Sequence, residues 1–388
     1  MDDKLSAALK YHKRFPGKLS VIPCSSLETN QDLLLAYTPG VAEACLEIAK
    51  SSDLAFDYTL KSRVVAIVSD GSAVLGLGNI GPYAAIPVME GKAALLYKFS
   101  GIEAFPITLD TKDEEEIIAT VKRIAPVFAA IMLEDIAAPK CVRIERALQA
   151  ELPIPVFHDD QHGTAIVVGA AVINASRYLK KDLASLKVVI SGTGAAGNSV
   201  MRLLKLLGVG SIVAYNKDGV VKLSKYDDYD FVIKELLDEK IIDNPNREIA
   251  SLKDLVIERD LFIGVSAPRL LTKEMVLSMN PDPVIFALAN PVPEIDPEEA
   301  LAAKAAIVGT GRSDYPNQIN NVLVFPGLMK GLLESRAKTV TNSMKLAACK
   351  ALAYLIKDED LRSDYILPGI FEDGIVEAVK TAVMAEVK

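Results

Sequence analysis

Two pairs of adjacent acids each close an apolar run. Ala129-Ala-Ile-Met-Leu133 leads into Glu134-Asp135, and Ile154-Pro-Val-Phe157 leads into His158-Asp159-Asp160. Runs of this kind read as buried strands. Ligands of open α/β sheets gather outside the carboxyl ends of strands, so two neighbouring strand ends could aim these carboxylates at one point. Crowded carboxylates repel one another unless a cation lies between them, and an all-oxygen donor set suits Mg²⁺ or Mn²⁺. A single strand-end acid pair more often caps the next helix or faces water. Two pairs in like positions favour a shared divalent ion. His158 and His162 are four apart, as in a zinc pair on one helical face, but His158 belongs to the strand end, so both are expected in polar or packing roles.

A second group of residues suits a phosphate. Gly192-Thr193-Gly194-Ala195-Ala196-Gly197 follows the strand-like Lys187-Val-Val-Ile-Ser191 and opens the amphipathic run Asn198 to Gly208. The first glycine permits a tight turn, the second lets backbone approach a pyrophosphate, and the third allows close helix packing. The helix N-terminus then offers N–H donors to the anion. The following strand ends at Asn216-Lys217, where an NAD site usually presents an acid to the ribose 2′-hydroxyl. A neutral Asn beside a Lys admits NADP as well, while Asp218 could still serve NAD, so the coenzyme is NAD or NADP. A second match, Gly76 to Gly81, lacks a strand directly before it, is followed by Pro82, and has Pro87 where a binding helix would run. It reads as a loop shaping a pocket.

These groups need α/β layers to hold them. Strands are predicted at 63–69, 104–109, 129–133 and 154–158, and again at 187–191, 211–215, 261–265, 284–289 and 306–309, with helical stretches between. The fold class is therefore α/β: a doubly wound Rossmann-type dinucleotide-binding domain plus an N-terminal α/β domain. The division expected is 1–160, 161–320 and a helical C-terminal segment, 321–388. Helical spacing runs from Asp2 to Ser52 with breaks at Pro16-Gly17 and Pro39-Gly40, a helix is expected over 163–178, and 224–248 reads as insertion or irregular helix. The 388 residues are ample for a large core, and 43 basic against 51 acidic residues leave a net charge of −8, no field for nucleic acid. Four scattered cysteines read as reduced thiols, and no apolar run reaches the roughly 20 residues of a membrane span. A cytoplasmic protein with no membrane partner is expected.

The chain resembles the malic enzymes in their short bacterial form. The resemblance rests on Tyr37-Thr-Pro-Gly-Val41, Ser69-Asp-Gly-Ser-Ala-Val-Leu-Gly-Leu-Gly-Asn-Ile-Gly81, Pro87-Val-Met-Glu-Gly-Lys-Ala93, Leu133-Glu-Asp135, Phe157-His-Asp-Asp-Gln-His-Gly-Thr-Ala165, Ala289-Asn-Pro291 and Asn320-Asn-Val322, in that order along nearly the whole chain. It implies oxidative decarboxylation of L-malate to pyruvate and CO₂ with NAD or NADP and Mg²⁺ or Mn²⁺. It also implies an N-terminal domain that takes malate and metal, and a homodimer or larger homo-oligomer.

Carried onto matching positions, the resemblance implies Glu134, Asp135 and Asp160 as metal ligands, Lys92 as the base, Tyr37 as the acid, and Asp159 close to the lysine. Asn290 and Asn321 match asparagines that contact substrate, Asn320 is their neighbour, and Asn290 also borders the coenzyme. The chemistry is consistent: a neutral lysine takes the C2 hydroxyl proton as hydride leaves C2, a metal holds the charge released with CO₂, and the tyrosine protonates C3. One position departs. Where animal and plant relatives carry a carboxylate-gripping arginine, this chain has Ala73, so either Lys61, Arg63 or a neighbouring subunit supplies the cation or substrate preference is looser than in strict malate enzymes. A malolactic reaction yielding lactate with bound NAD, a dinucleotide sensor without turnover, and a metal-free 2-hydroxy-acid dehydrogenase are the rival readings.

Overall fold

The computed structural model describes residues 6–74, 76–246 and 248–387. β1 (Val64–Ser69) buries all six of its residues, as a central parallel strand covered on both faces must. It pairs in parallel with β2 (Glu103–Thr108) on one side and β3 (Ala130–Leu133) on the other, and β3 pairs with β4 (Val156–His158). The order is β2-β1-β3-β4. Pro106, which has no N–H to give, falls on the edge strand β2.

The second sheet comprises β5 (Lys187–Ser191), β6 (Ser211–Asn216), β7 (Gly219–Val220), β8 (Leu261–Gly264), β9 (Val284–Ala287) and β10 (Ile307–Thr310), in the order β10-β9-β8-β5-β6-β7. All of its pairs are parallel except β6 with β7. Both sheets are doubly wound. The chain leaves β1 for β2 and returns to the other side of β1, and it leaves β5 for β6 and returns beside β5 as β8. Each reversal opens a crevice at the carboxyl ends of the central strands. Glu134 follows β3 at the first crevice, and Gly192 follows β5 at the second.

Three helical expectations are corrected. The stretch predicted to start at 163 is helical from Asp159 to Leu179, so Asp159 and Asp160 occupy its first turn. Pro87 lies inside an unbroken helix, Gly81–Ser100. A proline removes a single i→i−4 bond, and the buried face Ala85, Met89, Lys92, Ala93 and Leu96 packs that helix against the first sheet regardless. Within 224–248 a regular helix, Phe231–Asp238, buries Val232, Ile233, Leu236 and Leu237; Arg247 lies outside the described residues, as do residues 1–5.

The Asp159–Leu179 helix is apolar nearly all round and joins the two sheets. Ile166 to Ile173 share one hydrophobic cluster with Val65 and Ile67 of the first sheet and Val188 and Ile190 of the second. The division drawn at 160/161 falls in its first turn. The C-terminal segment forms helices Phe325–Glu334, Asn342–Ala353 and Ile375–Ala385, which close over the same cluster. Among the described residues no helix is long and apolar enough to cross a membrane.

Candidate active site

Glu134 continues β3, its N–H donating to the Val68 carbonyl at 2.9 Å. The chain then turns sharply at Asp135, whose φ is 55°, a left-handed conformation that aspartate tolerates better than most residues. That turn lets the Asp135 N–H donate to Asp160 Oδ2 at 2.8 Å, while its carbonyl accepts the Ala73 N–H at 2.9 Å. Carboxylate oxygens of Glu134, Asp135 and Asp160 all lie within 4.8 Å of one another.

Lys92 reaches this group from the Gly81–Ser100 helix. Its Nζ donates to Asp159 Oδ2 at 2.5 Å and lies 2.6 Å from Glu134 Oε1, over the Phe325 ring at 4.7 Å. Asn321 Nδ2 donates to the same Asp159 oxygen at 2.5 Å. Asp159 is fully buried, and Lys92 is only 8% exposed. Glu134 Oε2 and Asp159 Oδ1 are buried without any hydrogen-bond partner. Such orphaned anionic oxygens are costly in a packed interior, and a hard divalent cation at Glu134, Asp135 and Asp160 relieves that cost. The donor set fits Mg²⁺ or Mn²⁺.

The electrostatics point the same way. Burial alone would depress the Lys92 pKa, but attraction by Asp159, then Glu134 and Asp160, lifts it above the ordinary lysine range. Burial raises Glu134 well above the glutamate range, with Lys92 pulling it back and Asp160, Asp159 and Asp135 pushing it further up. Asp159 is raised by burial despite Lys92. Four carboxylates around one ammonium are short of positive charge.

The glycine turn is equally specific. Gly192 has φ 114°, and a Cβ there would sit 2.7 Å from the Val265 carbonyl oxygen; a Cβ on Gly197 would sit 1.9 Å from the Gly192 carbonyl oxygen. Beside Gly194 the space is open. Only glycine fits the two closed positions, and the open one is where a pyrophosphate needs room, at the N-terminus of the Ala195–Leu206 helix. Thr193 lies between the first two glycines, and Ala195 and Ala196 begin the helix. Asn216 Oδ1 accepts the Asp218 N–H at 2.8 Å, and its Nδ2 faces Thr193 Oγ1 at 3.4 Å, so Asn216 braces the turn while Lys217 stays exposed. The turn fits a dinucleotide.

The remaining sequence-predicted residues are placed differently. Asn290 follows β9 and lies against the Gly76 loop, where a Cβ on Gly76 would stand 2.6 Å from the Asn290 carbonyl oxygen. Asn320 caps a short turn, accepting the Val322 N–H, and so serves the backbone beside Asn321. Tyr37 ends the Asn30–Ala36 helix and is 67% exposed. Lys61 and Arg63 are at the wrong end of β1 to replace an arginine at Ala73. Lys61 donates to the Phe128 carbonyl and Arg63 pairs with Glu103, both at the amino edge of the sheet. Six residues of strand, roughly 20 Å, separate that edge from Asp70.

Two residues escaped the sequence reasoning. Glu145 is buried on the Lys140–Glu151 helix and accepts the His158 N–H, the Gln161 side chain and His162 Nε2, at 2.9, 3.0 and 2.9 Å, so it ties down the turn on both sides of Asp159-Asp160. Burial would raise its pKa, but His162 and then His158 hold it below the usual range. The signal was present: Cys141, Glu145 and Leu148 share one helical face, and a charge on an apolar face calls for a partner. The other is Gly163, where a Cβ would lie 1.9 Å from Asp159 Oδ1.

A family model of the malic enzyme N-terminal domain matches residues 16–117, and one of the malic enzyme NAD-binding domain matches residues 161–387. The chain belongs to the malic enzyme family. The bifunctional malic/malolactic enzyme of Bacillus subtilis (strain 168) is 49% identical over 97% of this chain and 91% of its own length. The NAD-dependent malic enzyme of Geobacillus stearothermophilus is 49% identical over 95% of this chain and 76% of its own length. Among solved structures, the NAD-dependent malic enzyme of Thermotoga maritima superposes with a TM-score of 0.92 at 46% identity, covering 98% of this chain and 99% of that one. The malic enzyme fold thus accounts for both doubly wound sheets and for the helices that join them.

Proposed function

We propose that this chain oxidises L-malate to pyruvate and CO₂ with reduction of NAD⁺ or NADP⁺. The observation that carries the reading is Lys92 held between Asp159 and Glu134, each of which keeps one buried oxygen without a hydrogen-bond partner, beside the converging carboxylates of Glu134, Asp135 and Asp160. When bound, a divalent ion at Glu134, Asp135 and Asp160 would polarise the oxygen on substrate C2, and a nicotinamide at the glycine turn would accept the C2 hydride.

The remaining work belongs to side chains of the chain itself. Lys92 Nζ takes the C2 hydroxyl proton, and it can do so only as a neutral amine. Its carboxylate neighbours keep it charged in the bare site, so the pull on it weakens when Glu134 is committed to a cation. Asp159, fixed by Asn321, sets where Nζ stands. Phe325 and the buried ends of β1 and β3 keep bulk water from the amine. Tyr37 Oη returns a proton to C3. Asn290 and Asn321 bind substrate, and Asn290 also faces the coenzyme.

Tyr37 needs a second copy of the chain to complete its setting. Among the described residues none of the helices before Val64 buries a residue, and Val21, Ile22, Leu35 and Leu46 are each more than half exposed. An apolar segment without cover fits a homodimer interface. Four free thiols fit a reducing, cytoplasmic setting.

The test is the near-ultraviolet absorbance of reduced nicotinamide with malate, Mn²⁺ and either coenzyme, repeated after chelation, with product analysis. Pyruvate matching reduced coenzyme, lost on chelation, supports the reading. Lactate without net coenzyme reduction supports a malolactic reaction, which the Bacillus subtilis relative's name keeps in play. Coenzyme binding without turnover supports a sensor. Mixing Tyr37→Phe with Lys92→Ala chains restores activity if the two residues meet across a dimer.

A further inference from the structure

One turn beyond the acids, the Asp159–Leu179 helix borders a cavity of about 150 Å³ that the proposed reaction does not use. A water needs a cavity of roughly 10–15 Å³, so there is room for a molecule of several heavy atoms. Ile166 and Leu203 give it an aliphatic wall, and His162, Arg202, Glu239 and Lys345 line the rest.

Its charges are unevenly matched. Arg202 is held on three sides, donating to Asn198 at 3.0 Å, Glu239 at 2.5 Å and Glu235 at 2.9 Å. Lys345 is different. It faces His162 Nδ1 at a long 3.5 Å, and among the described residues no carboxylate lies within ion-pair distance of it. Burial depresses its pKa, with Glu145 opposing. An ammonium carries three donors, so at least two are free to face the cavity. Glu145 stands on the far side of the His162 ring, which it meets at Nε2, and cannot reach the amine directly.

We propose that this cavity is a binding site for a small organic anion, its carboxylate or phosphate group seated on Lys345 and its carbon atoms against Ile166 and Leu203. An anion there competes with His162 for the ammonium. His162 is also held by Glu145, which in turn grips the His158 N–H and Gln161 around Asp159-Asp160.

The test uses the full chain with Mn²⁺ and NAD⁺, so binding is read without turnover. Its thermal midpoint is titrated with inorganic phosphate and, separately, with butyrate, at constant ionic strength set by chloride. The expected result is a saturable rise with at least one probe, weakened about tenfold or more in Lys345→Met, which loses a charge-assisted hydrogen bond, and kept in Lys345→Arg. A response to phosphate alone assigns a phosphate ligand, and one to butyrate alone a carboxylate. Malate turnover by Lys345→Met near the wild-type rate shows that the variant folds. No saturable response to either probe, or an equal response in Lys345→Met, overturns the proposal. An anion caught at the catalytic site instead would give that equal response.

Discussion

Replacing Gly163 with alanine puts a methyl group where the Asp159 carboxylate lies. The new Cβ would stand 1.9 Å from Asp159 Oδ1, 2.9 Å from its Cγ and 3.1 Å from Asn321 Cβ. Carbon atoms in good contact are about 3.5–4.0 Å apart, so the carboxylate has to retreat by more than about 1 Å. Its other oxygen holds both Lys92 Nζ and Asn321 Nδ2 at 2.5 Å, and a shift of that size breaks one or both bonds. Each is a charge-assisted bond of about 1.5–3 kcal/mol, and misplacing a reacting group by about 1 Å commonly costs about a hundredfold in rate. Stability should fall too, because the gain of up to about 1 kcal/mol that alanine has over glycine in a helix offsets only part of the lost bonds. The expected outcome is kcat for malate oxidation down about a hundredfold with a lowered thermal midpoint. The assay that decides is a double-mutant cycle with Asp159→Ala, which removes the clashing atoms: there Gly163→Ala should cost little more. A single variant within about threefold of wild-type kcat, or effects that simply multiply in the pair, would falsify the reasoning.

Three other perturbations probe separate parts of the site. The pKa values of Glu134 and Asp159 are raised, burial being the first cause, so a cation that attracts their charged forms should pull both down. Mn²⁺ binding should release protons and strengthen as pH rises through their titration; calorimetry in two buffers of different ionisation enthalpy reads the release, and proton uptake contradicts the assignment. Glu145 is held below the usual glutamate range, so its contribution to stability is present at neutral pH and lost only as pH falls through that depressed value. Glu145→Gln should lower stability by about 3 kcal/mol near pH 7, with the difference shrinking in acid, as measured by denaturant unfolding. Gly192→Ala should weaken coenzyme binding by about a hundredfold or more and leave Mn²⁺ affinity alone, because its Cβ meets the Val265 carbonyl at 2.7 Å and not the acids; equal loss of both ligands counts against two separate crevices.

The convergence of Glu134, Asp135 and Asp160 was legible because strand-end acids in a parallel sheet have few places to go. The dinucleotide turn was legible for the same reason, its strand, glycines and helix being contiguous. What stayed hidden depended on contacts distant in sequence. His158 ends a strand and Asp159 begins a helix with no residue between, so the helix start could not be set from periodicity, which is weak in a helix apolar on all sides. Pro87 misled because local cost was weighed without the buried face that outweighs it. Lys61 and Arg63 were reasonable cations by type, and only strand direction shows that they lie at the far edge.

The proposed hydride and proton transfers need the crevice of the acids and the crevice of the glycine turn within one substrate's length, and two features of the chain set that separation. The Asp159–Leu179 helix begins at the acids and packs along the Ala195–Leu206 helix, whose N-terminus faces the pyrophosphate position, so one rigid element spans both crevices. Across the opening, Gly76 (φ 74°) comes close enough to the Asn290 carbonyl that a Cβ would stand 2.6 Å away. The first is continuous packing and the second is a backbone contact that only glycine permits. A side chain at residue 76 would therefore separate the crevices while leaving each internally intact, so metal affinity and coenzyme affinity would survive and turnover would not. That pattern distinguishes a site built from two converging sheets from one held within either sheet alone.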